Sequence, residues 1–125
     1  LEEDPEHPNF PPLQENYQIL AEIAEKEQLF RVATLPTPEG IDSPEGALPA
    51  SYANFYIGNK VVLVPTFNQD SDQLAIDTLE PLFPGRRVIG IDCTEIIEGM
   101  GAIHCLTLQQ PYSGQMSTSN PPGTP

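Results

Sequence analysis

Positive charge is the scarcest feature of this chain. Against 18 Asp and Glu stand five cations, Lys26, Arg31, Lys60, Arg86 and Arg87, for a formal net charge of −13. Duplex DNA or RNA is thereby disfavoured as a partner, because affinity there comes mainly from cationic contacts to phosphate. An anionic membrane surface is disfavoured on the same ground. A cationic small molecule or peptide fits the charge, although acidity also serves plain solubility, the reading that composition favours. No apolar run nears the roughly 18 residues needed to cross a bilayer. The opening Leu1-Glu2-Glu3-Asp4 is the reverse of a signal peptide's basic start. Cysteine is scarce as well. Cys93 and Cys105 have no metal-ligand spacing and make no disulfide framework, so reduced thiols in a cytoplasmic protein without a bound metal are expected. Histidine is limited to His7 and His104.

What is present suffices for one domain: 125 residues, 38% of them hydrophobic. Many of the 15 prolines lie near the two ends, so the ordered core is expected to be shorter than the chain. Residues 1–12 read as an acidic, proline-rich lead-in. Leu13 to Glu27 repeats Leu13, Tyr17, Leu20 and Ala24 at helical spacing, after Pro12, whose missing N–H is harmless at a helix start. Leu29 to Leu35 reads as a strand, closing a helix–strand unit over 13–35. Residues 36–50 form a long loop carrying Glu39, Asp42 and Glu45, which could rim a cation site or simply be solvated.

From residue 51 the pattern is β-β-α-β, a short turn, then β, within an α+β fold. Ser51 to Ile57 and Val61 to Phe67 are strands joined by the Gly58-Asn59-Lys60 turn. Val61-Val62-Leu63-Val64 lacks alternation, predicting burial on both faces. Asp70 to Leu79 is a helix with an Asp70–Gln73 capping box and a core face of Leu74, Ile76, Leu79, Leu82 and Phe83. Pro81 ends or kinks it. Arg87 to Asp92 is a strand, Thr94 to Glu98 a helical turn, and Ala102 to Gln109 the last strand. Residues 112–125, rich in Ser, Thr, Gly, Asn and Pro, read as a disordered tail.

Two residues draw attention chemically. Cys105 follows the glycine-punctuated Gly99-Met100-Gly101, near the end of the expected last strand. It is either a nucleophile on a rigid support or a small buried hydrophobe, and position and composition alone favour the second. His104 is the obvious base, but neighbours on a strand point to opposite faces. Cys105 is therefore inert, or its proton-transfer partner lies outside these 125 residues. Asn54 is a polar amide among aromatics in a predicted strand, where Asn is depleted. It would either hydrogen-bond a substrate or tie down neighbouring backbone. Gly99-x-Gly101 precedes a strand rather than opening a helix, so it is no dinucleotide fingerprint.

Two segments taken together carry a more specific signal. They are Ser51-Tyr52-Ala53-Asn54-Phe55-Tyr56-Ile57 with Val61-Val62-Leu63-Val64-Pro65, and Gly101-Ala102-Ile103-His104-Cys105-Leu106-Thr107-Leu108-Gln109-Gln110-Pro111. This pair resembles the C-terminal part of the agmatine deiminase and bacterial peptidylarginine deiminase family, and the resemblance extends over about residues 4–111. It implies a pentein fold, a propeller-like ring of five ββαβ modules, with the last module at 51–111 and part of the preceding one before it. It implies that Cys105 is the catalytic nucleophile and Asn54 a substrate-binding residue, with no cofactor. The substrate would be agmatine, giving N-carbamoylputrescine on the way to putrescine, or peptidyl arginine, giving citrulline. The family's acid/base histidine, in a His-x-Asp motif, and its guanidinium-holding carboxylates lie upstream and have no counterpart here. Agmatine deiminases read Gly-Gly-Asn or Gly-Gly-Gly where this chain has Met100-Gly101-Ala102, which leaves both substrates open. The alternative is a catalytically incomplete module that binds cationic ligands or self-associates into a homo-oligomer through open sheet edges.

Overall fold

The run Val61–Thr66 supplies the central strand, β4, because β-branched residues suit a pleated, covered surface. In the computed structural model, which describes residues 1–44 and 46–110, β4 lies in the middle of a three-stranded sheet of order β3-β4-β5. The predicted disordered tail at 112–125 falls outside the described residues. Strand β3 (Tyr56–Ile57) pairs antiparallel with β4, and β5 (Arg87–Asp92) pairs with it in parallel over its whole length, Val61 opposite Arg87 through Thr66 opposite Asp92. Helix α2 (Ser71–Leu79) makes the crossover that a parallel pair needs. A short antiparallel ladder of β1 (Asp42–Ser43) and β2 (Gly46–Ala47) interrupts the predicted 36–50 loop. The architecture is mixed α+β, with the β-β-α-β order expected from residue 51.

Burial alternates over the first four residues of β4, and Pro65 after them is buried as well. Val62 and Val64 are fully buried, while Val61 and Leu63 are only partly covered, so the predicted two-faced burial holds for alternate residues alone. Around them gather Tyr52, Phe67, Ala75, Leu79, Cys93, Ile97, Ala102 and Ile103, which form the core. The α2 face is narrower than predicted. Ala75 and Leu79 are buried, but Leu74 and Leu82 are largely exposed. Pro81 ends α2 in a 3-10 turn over Glu80–Leu82. Asp70 makes no side-chain cap, and the predicted capping box is absent. Asp72 instead accepts the N–H groups of Phe67 and Gln69 at 3.0 Å each. A carboxylate inside the first turn meets the free N–H groups and the positive end of the helix dipole.

Three expected strands are corrected. Leu29–Leu35 carries no strand ladder. None of its residues pairs with another strand, although the Leu35 carbonyl accepts from the Leu1 amine, and a ladder needs a partner strand as well as β propensity. Ser51–Ile57 is strand only at Tyr56–Ile57. Residues 51–54 make a turn closed by the Asn54 N–H on the Ser51 carbonyl at 3.1 Å. Ala102–Gln109 is not a strand either. Buried Ala102 and Ile103 plug the core, and the chain then turns through a 3-10 segment at His104–Leu106.

Helix α1 (Phe10–Glu27) is longer than predicted at its start. It takes Pro11 into its first turn and ends at Gln28, whose left-handed φ of 54° closes it. No residue of α1 is buried, and Ile19, Leu20 and Ile23 stand exposed. The helix and the 32–38 segment flank a groove of about 650 Å³.

Candidate active site

Two anchored elements converge on Cys105. The first is the 51–54 turn. Tyr52 is fully buried and stacks at a tilt on Phe67, with ring centroids 5.7 Å apart, and Asn54 follows two residues on at the edge of the core. The second is the segment after β5. The Cys93 N–H continues the ladder onto the Thr66 carbonyl at 2.9 Å, buried Ile97 fixes a 3-10 turn, and Met100 leaves it at a left-handed φ of 64°. Ala102 and Ile103 then hold the chain down, and Cys105 emerges exposed.

Asn54 grips this emerging turn at three points. Its backbone carbonyl accepts the His104 N–H at 3.1 Å. Its side-chain Oδ1 accepts the Cys105 N–H at 3.3 Å, and its Nδ2 donates to Cys105 Sγ at 3.0 Å. The question left open for Asn54 thus has a geometric answer in part: the amide ties down the backbone and touches the thiol at once. It keeps one N–H and one lone pair for another partner.

This arrangement acts on the thiol electrostatically. The Asn54 N–H, then a backbone hydrogen bond from Ala102, stabilise the negative sulfur and hold the Cys105 thiol below the ordinary cysteine range, against a weaker opposing effect of desolvation. Cys93 behaves oppositely, since burial first and the nearby Asp92 charge second push its thiol up. The two cysteines thus divide into an exposed, thiolate-favouring one and a buried, inert one. The preference for a buried thiol at Cys105, drawn from composition, is overturned by its exposure.

Glycine makes the site possible at one point. A Cβ on Gly101 would lie 2.8 Å from Cys105 Cβ and 3.1 Å from Sγ, so the turn can fold back on itself only with glycine there. The strand-parity argument against His104 loses its premise, since the two residues share a 3-10 turn rather than a strand. The hydrogen bonds of His104 run through its backbone, with the N–H to Asn54 and the carbonyl accepting from the N–H and Oγ1 of Thr107.

Sequence reading singled out Cys105 and Asn54, and the fold brings them into contact. It missed the part-buried network around Tyr52. The Tyr52 hydroxyl donates to Asp72 Oδ1 at 2.7 Å and sits 2.7 Å from Ser71 Oγ. The available signal was Asp72 itself, a carboxylate at a helix start, overlooked because the Asp70–Gln73 spacing fits a capping box.

An exposed cysteine, its thiol held low by an asparagine on a β-β-α-β body, is what the candidate site consists of. The family described as Porphyromonas-type peptidyl-arginine deiminase matches residues 1–111, and the chain belongs to it. Over 118 residues it is 36% identical to a Legionella pneumophila protein provisionally named agmatine deiminase, covering 93% of this chain and 34% of that one. Among solved structures, a protein provisionally named arginine deiminase from Porphyromonas gingivalis superposes with a TM-score of 0.82 at 40% identity, covering 87% of this chain and 32% of that one. A cysteine-to-serine variant of C. jejuni agmatine deiminase with substrate bound superposes with a TM-score of 0.73 at 29% identity, over 82% of this chain and 29% of that one. The chain therefore spans about a third of the length of these relatives.

Proposed function

We propose that this chain carries the nucleophile half of a deiminase that hydrolyses a guanidinium group, with Cys105 as the attacking thiolate. The observation that carries the reading is the Asn54 contact, in which one amide holds both the backbone N–H and the sulfur of Cys105. The thiolate attacks the guanidinium carbon. The C–N bond breaks, ammonia leaves with a transferred proton, and a covalent thiouronium remains. Water then adds to that carbon, the C–S bond breaks, and the ureido product departs as the thiolate is restored. A cationic guanidinium beside the sulfur further favours the thiolate, and the scarcity of cations in the chain suits such a substrate. Asn54 has a remaining N–H with which to contact the substrate.

The general acid and base, a histidine in a His-x-Asp motif, and the carboxylates that grip the guanidinium are expected from chain beyond these residues. In this reading residues 51–111 are the last ββαβ module of a pentein ring, and the substrate is agmatine or peptidyl arginine. The relatives' names support guanidinium hydrolysis and do not choose between the two. The test is Cys105 alkylation followed against pH with and without agmatine, alongside ammonia release by the 125-residue chain. A guanidinium-dependent downward shift in the alkylation midpoint, with no useful turnover, supports the reading. Cys105-dependent turnover by this chain would refute the division of labour, and indifference to guanidinium would refute the site.

A further inference from the structure

Close to Asn54 in the chain, Tyr52 enters a part-buried polar network with no part yet assigned in the chemistry. Tyr52 is the largest fully buried side chain, and its hydroxyl is held between Asp72 and Ser71. A phenol has one hydrogen, and Tyr52 gives it to the Asp72 carboxylate, so the Ser71 hydroxyl donates to the Tyr52 oxygen. Asp72 also receives the Phe67 N–H on both oxygens, at 3.0 and 3.2 Å, and the Gln69 N–H at 3.0 Å. One carboxylate thus joins the end of β4, the start of α2 and the 51–54 turn.

Apart from the three bonds of Asn54 to the His104–Cys105 turn, the 51–54 turn is held by short-range bonds, Ala53 N–H to Ser51 Oγ at 3.2 Å and Asn54 N–H to the Ser51 carbonyl. Its one fully buried residue is Tyr52. Where Asn54 stands relative to the sheet therefore depends on how Tyr52 is seated, by its ring on Phe67 and by its hydroxyl on Asp72 and Ser71. Opposite it, Cys105 is fixed through Ala102 and Ile103, which are buried in the same core. The contact between Asn54 and Sγ lies where these two arms, each anchored in the core, meet.

We propose that Tyr52 and Asp72 are positioning residues for Cys105, acting through Asn54 by setting the distance between its amide and the thiol. The role rests on the reading of Cys105 as the reactive thiol. Because the network is half-buried around a fully buried ring and hydrogen-bonded throughout, a half-satisfied version of it shifts geometry as well as stability. Tyr52→Phe keeps the ring on Phe67 and deletes only the hydroxyl.

The experiment measures the alkylation rate of Cys105 against pH by mass mapping of the modified peptide, on folded protein at a temperature well below each variant's melting. The His104→Gln background removes the adjacent imidazole, the titratable neighbour in the same turn. Tyr52→Phe is expected to move the alkylation midpoint up and to slow modification at neutral pH. In Asn54→Ala the midpoint is already up, and adding Tyr52→Phe is expected to move it no further. Val64→Ala, buried in the same core outside the network, is expected to lower melting without moving the midpoint. An unmoved midpoint in folded Tyr52→Phe, or an equal shift with and without Asn54, overturns the positioning role and leaves the reactive-thiol reading intact. An ordinary thiol midpoint in the unsubstituted protein overturns both.

Discussion

Helix α1 and the strand-like segment after it contrast sharply with the body that starts at Tyr52. Both regions carry apolar residues at regular spacing. In the body that spacing is satisfied, since Tyr52, Val62, Val64, Ala75, Leu79, Cys93, Ile97, Ala102 and Ile103 cluster in one core. In α1 it is not, and the helix has no buried residue. Most helical stability in proteins comes from packing an amphipathic face, not from propensity. Periodicity shows which face is meant to be covered, and only the fold shows whether a cover is present. The candidate site lies wholly on the well-packed region.

The largest expected effect separates the two regions by stability. Ile97→Ala removes a fully buried side chain beneath the 93–105 segment and is expected to cost about 2–5 kcal/mol in chemical denaturation. Ile23→Ala, on the exposed face of α1, is expected to stay within about 0.5 kcal/mol. Comparable losses at the two positions would break the contrast. A middle-sized effect is expected at Gly101→Ala, whose new Cβ meets Cys105 at 2.8 Å and forces the turn to move. Destabilisation of about 1–3 kcal/mol is expected, with Cys105 alkylation at neutral pH slowed by the displaced thiol.

The smallest effect concerns Asp92, fully exposed at the end of β5. The Thr94 N–H and then its hydroxyl, with Asn68 further off, hold this carboxyl below the ordinary range. A carboxyl depressed in the folded state stabilises above the unfolded-state pKa and loses that contribution as pH falls through the folded value. Asp92→Asn should therefore lower melting slightly at pH 7 and make no difference in strong acid. An undiminished difference at low pH would contradict the assignment.

Much of the body was legible because its signals are local. Strand β5 falls at Arg87–Asp92 as its apolar pattern indicates, Pro81 closes α2, and the Gly58-Asn59-Lys60 turn joins β3 and β4. The failures share one cause, which is that strand propensity says nothing about partners. Leu29–Leu35 has the composition of a strand and no ladder. Ala102–Gln109 has it too, but burying Ala102 and Ile103 beside glycines favours a turn. Asn54 and Cys105 could each be marked as unusual in the sequence. Their contact spans 51 residues, which no local pattern encodes. The Tyr52–Asp72 bond escaped for the same reason.

The central claim is that Asn54 makes Cys105 a reactive thiol. Its most direct test is the rate of Cys105 alkylation across pH in the unsubstituted chain and in Asn54→Ala. Cys93, buried and with its thiol pushed up, stays silent and serves as internal reference. The expected result is a midpoint below that of an ordinary cysteine, rising toward the ordinary value when the amide is removed. Coincident profiles for the two proteins would contradict the account.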